Sequence, residues 1–263
     1  MPRTISKLLN KIKGVKRNQK FFERLFGFFL SGMNYNISGD FENNGEKNVL
    51  KYIKSKTTAE GAVIFDVGAN IGKYSILLSE IFGSRATIHS FEPSKKTFEI
   101  FKETTKNATN ITANNFGMSD SENEETLYTN CDGSGIASLY KRNLDHFGIE
   151  MNKNEKIKLS TIYNYCQNNR IEKIDFLKMD IEGHELSALK GAKKMLSAGK
   201  IDFIQFEFGG CNIDSRTYFQ DFFYALKDNF HIYRILKDGL EEIPRYDEKL
   251  EIFITTNYLA ERK

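Results

Sequence analysis

The amino-acid sequence predicts an α/β fold of the doubly wound kind, a mostly parallel sheet with helices on both faces. Three observations predict it. From residue 61 onward, short apolar runs alternate with segments of helical periodicity. The first of those runs ends in a glycine turn that opens a helix. At 263 residues, 40% hydrophobic and 28% charged, the chain can bury one large core. Such a core needs no disulfide or metal support. Cys131, Cys166 and Cys211, odd in number and widely spaced, argue against a disulfide framework and a zinc site.

Residues 1–60 read as an N-terminal helical extension: a basic segment, a Phe-rich run over 21–30, a polar loop over 31–46, then a helix through Val49, Leu50 and Ile53. Residues 61–263 form the α/β domain. Its first strand, 62–67, leads through the glycine turn to a helix carrying Ile71, Ile76, Leu77, Leu78 and Ile81, which stops at Gly83. The second strand, 87–91, closes on Glu92-Pro93, and Ser94 is placed to cap a helix with Phe98 and Phe101. The third strand is about 111–116. The fourth, 174–179, precedes a helix with Leu186, Leu189, Ala192 and Leu196 on one face, and the fifth, 201–208, a helix over 215–228. Two final strands, about 231–236 and 250–256, have no helix between them and are expected to pair antiparallel. The segment 120–170 breaks the alternation. It reads as a long surface connection or as an insertion near the carboxyl edge of the sheet, where open α/β folds bind ligands.

Charge is unevenly placed. Residues 1–20 carry Arg3, Lys7, Lys11, Lys13, Lys16, Arg17 and Lys20 with no acid; setting that +7 against the chain's +3 leaves −4 for residues 21–263. The body is therefore not a polyanion-binding surface, and no nucleic-acid partner is expected. The arm reads as a solvated terminus or as an amphipathic segment that rests, with the Phe run, on an acceptor or an anionic membrane through residues 1–30. The run 21–30 contains Glu23 and Arg24 and is too short to span a bilayer. With no secretory signal in the first 30 residues, the cytoplasm is the expected location, with peripheral membrane contact as a further expectation.

Four constellations carry chemistry. Asp66-Val67-Gly68-Ala69-Asn70-Ile71-Gly72 joins strand to helix, but Gly68 and Gly72 fit neither the G-x-G-x-x-G fingerprint nor a P-loop. The context suits an adenosine ligand without a pyrophosphate, or merely a tight turn. Glu92, 26 positions after Asp66, ends the second strand where doubly wound folds place an acid on ribose hydroxyls; an exposed Glu before a proline turn is the plainer reading. Asp180-Ile181-Glu182-Gly183-His184-Glu185 gathers three acids and a histidine at a strand end. His184, oriented by a carboxylate, can take a proton from an acceptor hydroxyl. Alternatively Asp180, Glu182 and Glu207 hold a divalent cation, or the run is simply an acidic helix start. Last, Gln205-Phe206-Glu207-Phe208-Gly209 brings Glu207 to the mouth of the sheet.

These motifs, with Gly117-Met118-Ser119-Asp120, Gly135-Ile136-Ala137-Ser138-Leu139 and Leu189-Lys190-Gly191-Ala192, resemble the FkbM-type methyltransferase family over about residues 60–236. The resemblance implies a Rossmann-like seven-stranded methyltransferase sheet whose last strand is antiparallel, with S-adenosylmethionine as donor. It implies that Asp66, Gly68, Asn70 and Gly72 face the donor, Glu92 its ribose, and Ser119 and Asp120 the adenine end. Acceptors in the family are often sugar or polyketide hydroxyls, and Met33-Asn34-Tyr35 with Gly45-Glu46 resemble a pre-core stretch of bacterial members linked to surface-polysaccharide synthesis, so O-methylation of a glycan precursor in that synthesis is the expected activity. A methyltransferase of a lipid or other small molecule, and a non-catalytic binding module, are the alternatives. Pro2, Pro93 and Pro244 are isolated, so the N/D-P-P-Y/F run of amine-directed nucleic-acid methyltransferases is missing.

Overall fold

A computed structural model describes residues 12–36, 40–41, 43–57 and 61–263. Arg3, Lys7 and Lys11 of the basic arm lie outside the described residues. Two helices come first, α1 (Gln19–Gly32) and α2 (Glu46–Lys56). Then follow β1 (Val63–Val67), α3 (Lys73–Phe82), β2 (Thr87–Phe91), α4 (Lys95–Thr105) and β3 (Ile111–Asn114). The insertion contributes β4 (Gly117–Met118), β5 (Asn123–Thr129) and β6 (Lys153–Ser160). The chain returns through α5 (Ile162–Asn168), β7 (Ile174–Met179), α6 (Glu185–Gly191), α7 (Lys193–Ser197) and β8 (Ile201–Phe208). It ends with α8 (Cys211–Ser215), α9 (Phe219–Leu226), β9 (Phe230–Ile235), β10 (Leu240–Glu242) and β11 (Thr256–Arg262).

The main sheet runs β10-β9-β11-β8-β7-β1-β2-β3. β8, β7, β1, β2 and β3 are parallel, and β11 enters between β8 and β9 antiparallel to both. The sheet has eight strands, not seven, because β10 turns back on β9 as a hairpin. The last strand begins at Thr256 rather than near 250. The intervening chain is used otherwise: the Glu251 carboxylate accepts the Phe219 and Gln220 amides and caps α9.

Strand alternation assigns side chains to two cores. Register aligns Phe65, Leu177, Ile204, Ala260 and Ile232 on one face, where α5, α6 and α9 supply Ile162, Leu189 and Phe222. Ile64, Phe176 and Phe203 point to the other, where α2 and α3 supply Leu50, Ile53 and Leu78. β7 is buried along its whole length, as a central strand covered on both faces must be. Caps set the helix starts: Ser94 Oγ accepts from the Thr97 amide, and Thr161 Oγ1 from Asn164.

Three sequence-based bounds shift. The third strand stops at Asn114, and Gly117–Met118 turns away to join a second sheet, β4-β6-β5. The helix expected to carry Leu186 through Leu196 is interrupted at Ala192. The helix expected over 215–228 begins at Phe219, because Arg216 at φ 58° ends α8 in the left-handed region. The second sheet stands over the carboxyl ends of the parallel strands and carries a small apolar cluster, Leu127, Ile157 and Leu159, backed by Ala137 and Leu139. That placement creates the cleft described next.

Candidate active site

The cleft opens a cavity of about 90 Å³ between the strand ends and the second sheet. One wall is polar, from Gly68, Asn70, Glu92, Asp180, Glu182 and His184 at the strand ends; the other is the apolar cluster of the second sheet with Met118. The glycine turn explains the first wall. Gly68 at φ 87° lies so close to β7 that a Cβ would overlap the Asp180 carbonyl. Asn70, at φ 47°, is left-handed, and its amide donates to Glu92 Oε2 at 2.9 Å. The Ser94 amide donates to Glu92 Oε1, also at 2.9 Å. Each oxygen of this buried carboxylate thus retains an acceptor site toward the cleft. Burial pushes the Glu92 carboxyl up to about 7 against the pull of the two amides.

The turn after β7 is held from below. Glu185, fully buried, accepts the Ile181 and Gly183 amides on Oε1. Burial pushes its carboxyl up to about 7. Glu182 sits at φ 52°, a strained position for this residue; Ser138 Oγ donates to its carbonyl and Arg142 Nη1 pairs with its carboxylate. Neither acid reaches His184. The histidine meets hydroxyls instead: Ser119 Oγ at 2.9 Å from Nε2 and Tyr140 OH at 3.1 Å from Nδ1. This corrects the expectation of a ring oriented by a carboxylate. Burial lowers the His184 pKa, with the charge of Asp120 opposing, so the ring is neutral at pH 7.

The structure sorts the sequence-derived candidates. Gly68, Asn70, Glu92, Asp180, Glu182 and His184 share the cleft. Asp66, Gly72, Ser119, Asp120 and Glu207 are not among the residues that line it. Asp66 is fully buried and accepts from Ser75 Oγ at 2.6 Å, Gly72 packs on Phe101 and Thr105, and Ser119 supports His184. Asp120 is exposed beside it. The carboxylate set expected for a cation also changes. Glu182 and Glu207 come together with Cys211, their ligand atoms within 4.8 Å of one another, whereas Asp180 is bound by Lys178 Nζ at 3.2 Å. Arg142 already supplies positive charge to Glu182, and burial keeps the Cys211 thiol protonated. Burial also drives Glu207 well above the ordinary carboxyl range, with the charge of Asp180 next.

Sequence reasoning missed three supports. Lys178 is buried, with Asp180 on one side, Asp66 at 3.7 Å and the Tyr74 ring at 4.4 Å. Burial disfavours its charge, but Asp180, Asp66 and Glu46 outweigh that and hold its pKa above the usual value. A lysine in a central strand, beside Phe176, Leu177 and Met179, is the available signal. Tyr140 and Arg142 come from the insertion, where no sequence pattern marks them.

Residues 66–238 match the family described as methyltransferase FkbM domain. The chain belongs to that family. Over 166 residues it is 26% identical to hexuronic acid methyltransferase AglP of Haloferax volcanii, an alignment covering 63% of this chain and 64% of that one. The chain thus spans less than two thirds of the length of this relative. In backbone it is similar to methyltransferase FkbM of Methylobacillus flagellatus KT, with TM-score 0.47, 17% identity, and coverage of 92% of this chain and 59% of that one. It is similar as well to a SAM-dependent methyltransferase of Aquifex aeolicus, with TM-score 0.46, 13% identity, and coverage of 87% and 95%. The residues present fit S-adenosylmethionine, the donor that the family resemblance implies. Glu92 offers two acceptor sites for a diol, the buried Asn70 Oδ1 has no partner of its own, and the opposite wall is apolar as an adenine ring requires.

Proposed function

We propose that this chain transfers a methyl group from S-adenosylmethionine to a hydroxyl of a sugar or glycan precursor, in the cytoplasm and in the service of surface-polysaccharide synthesis. The observation that carries the reading is a cleft with a diol-accepting buried carboxylate, Glu92, on the same polar wall as an acid and a neutral histidine, Asp180 and His184. The hexuronic acid methyltransferase relative supports a sugar acceptor.

Glu92 accepts the donor's ribose hydroxyls, and Asn70 Oδ1 with Asp180 faces its positively charged portion. S-adenosylmethionine would supply an electrophilic methyl on a sulfonium, the oxygen–carbon bond forming in line as the carbon–sulfur bond breaks and the thioether S-adenosylhomocysteine leaves. The protein's part is alignment and removal of one proton from a neutral hydroxyl. His184, its ring kept neutral by burial and both nitrogens held by the Ser119 and Tyr140 hydroxyls, receives that proton by relay: the hydroxyl that donates to the ring gives up its own proton and takes the acceptor's. Lys178 holds Asp180 in place as a positioning residue.

The test is transfer of labelled methyl from the donor to a panel of sugar nucleotides, glycan precursors and lipids, with and without chelator. Label in a sugar hydroxyl, unaffected by chelator, is the expected result. Label only in lipid moves the acceptor class. Donor binding with no transfer to any acceptor leaves a binding module. Loss with chelator and rescue by magnesium puts a cation at Glu182 and Glu207 in place of the histidine base.

A further inference from the structure

Helix α1 exposes what a soluble helix normally hides. Phe21, Phe26, Phe28 and Phe29 are 56, 58, 71 and 56% accessible, and Leu30 is the helix's one buried residue. At about 100° per residue these four rings, with Phe22 and Leu25, occupy one side, and Lys20, Glu23, Arg24 and Ser31 occupy the other. The Phe residues therefore do not form an extra layer on the sheet, and a contiguous aromatic face of this kind marks an interaction surface.

Charge and position say what covers it. Residues 1–20, which lead into the helix and include its first two residues, carry seven basic residues and no acid, while the rest of the chain carries −4. Its C-terminal end is tied to the carboxyl edge of the sheet: the Asn36 amide donates to the Thr255 carbonyl, and Thr256 Oγ1 to the Asn34 carbonyl at 2.8 Å. Thr256 pairs with Phe208, the last residue of β8. The helix thus leaves the edge that carries the cleft, two strands or about 10 Å from β7.

We propose that α1 lies in the surface of an anionic phospholipid membrane and holds the cleft edge of the protein at that surface. The rings enter the acyl boundary while the basic residues meet headgroup phosphates, and only the second attraction is screened by salt. Among the described residues no helix is long and apolar enough to cross a membrane, so the contact is peripheral.

The test is sedimentation of the full chain with vesicles of phosphatidylcholine alone or doped with phosphatidylglycerol. Partition into the anionic vesicles, weakened but not abolished between about 0.1 and 1 M salt, is expected. Lys16→Gln/Arg17→Gln/Lys20→Gln lowers that partition on the order of 10²-fold, each basic residue counting about fivefold. Phe21→Ser/Phe26→Ser/Phe28→Ser/Phe29→Ser lowers it at least tenfold at either salt, with donor affinity and melting temperature unchanged because those rings are exposed. Should the second variant not fold, the first decides. Absence of wild-type binding, or binding by both variants equal to that of the wild type, overturns the proposal. So does a dimer that the Phe variant dissolves, since a second copy then owns the face.

Discussion

Glu92 serves the turn and the cleft with one carboxylate, accepting two amides from its own loop and offering its remaining sites outward. Because burial places its carboxyl at about 7, the acceptor form is scarce below neutrality. Donor binding, which needs the ionised form, is expected to be about tenfold weaker at pH 6 than at pH 8. Calorimetry at the two pH values checks this, and a flat profile removes Glu92 from the donor site. Glu92→Gln keeps the shape and lowers donor affinity roughly 10–10²-fold, the loss of a charged hydrogen bond worth about 1.5–3 kcal/mol. His184 makes the opposite prediction. His184→Ala reduces turnover on the order of 10²–10⁴-fold with donor affinity nearly intact, as loss of a general base does. The wild-type rate rises with pH through a value below the ordinary histidine pKa and is flat above it, since burial lowers the group. A rate that His184→Ala leaves unchanged assigns the base to Asp180.

At the scale of elements, the site depends on how closely α6 approaches the second sheet. Gly191 ends α6, and a Cβ there would overlap the Ser119 carbonyl, whose residue bonds His184. Gly191→Ala is therefore expected to destabilise the fold by about 1–3 kcal/mol and to lower turnover with it, by pushing Ser119 from the ring. Denaturant midpoints measure the first effect; an unchanged midpoint means the strand gives way freely. The sequence shows Leu189-Lys190-Gly191-Ala192 as a motif, but the reason for its glycine lies 72 residues away along the chain. Tyr140 and Arg142 illustrate the same limit. Their segment breaks the α/β rhythm and is recognisable as an insertion, yet nothing local says that one residue reaches His184 and the other Glu182.

For the molecule as a whole, a concentration of buried acids is the dominant electrostatic feature. Burial raises Glu46, Asp66, Glu92, Glu182, Glu185 and Glu207 above their ordinary values, with Glu92 and Glu185 at about 7 and Glu182 at about 8. An unfolded chain releases these protons near pH 4 to 4.5, whereas the folded chain holds those of Glu92, Glu182 and Glu185 to about neutrality. Between those limits the folded state binds more protons, so stability falls as pH rises. The melting temperature is expected to decline from pH 5 to pH 8, the reverse of proteins whose carboxylates are held low by ion pairs. Thermal scans across that interval check the sign, and a rising melting temperature refutes it.

Periodicity and turn chemistry, which are local, placed the strands 87–91, 174–179 and 201–208 where the structure has them, and with the glycine turn they made the α/β class and the family resemblance legible. Six of the eleven residues named for the site share the cleft for the same reason: they follow strand ends, and strand ends converge at one edge of a parallel sheet. Tertiary structure alone decided the rest. Whether His184 meets a carboxylate or a hydroxyl, whether Asp180 meets a metal or Lys178, and whether the Phe run is core or surface depend on contacts between distant segments. Side-chain spacing along the chain carries no record of such contacts. The direction of each pKa follows from them too, because burial is a property of the packed molecule and not of the residue.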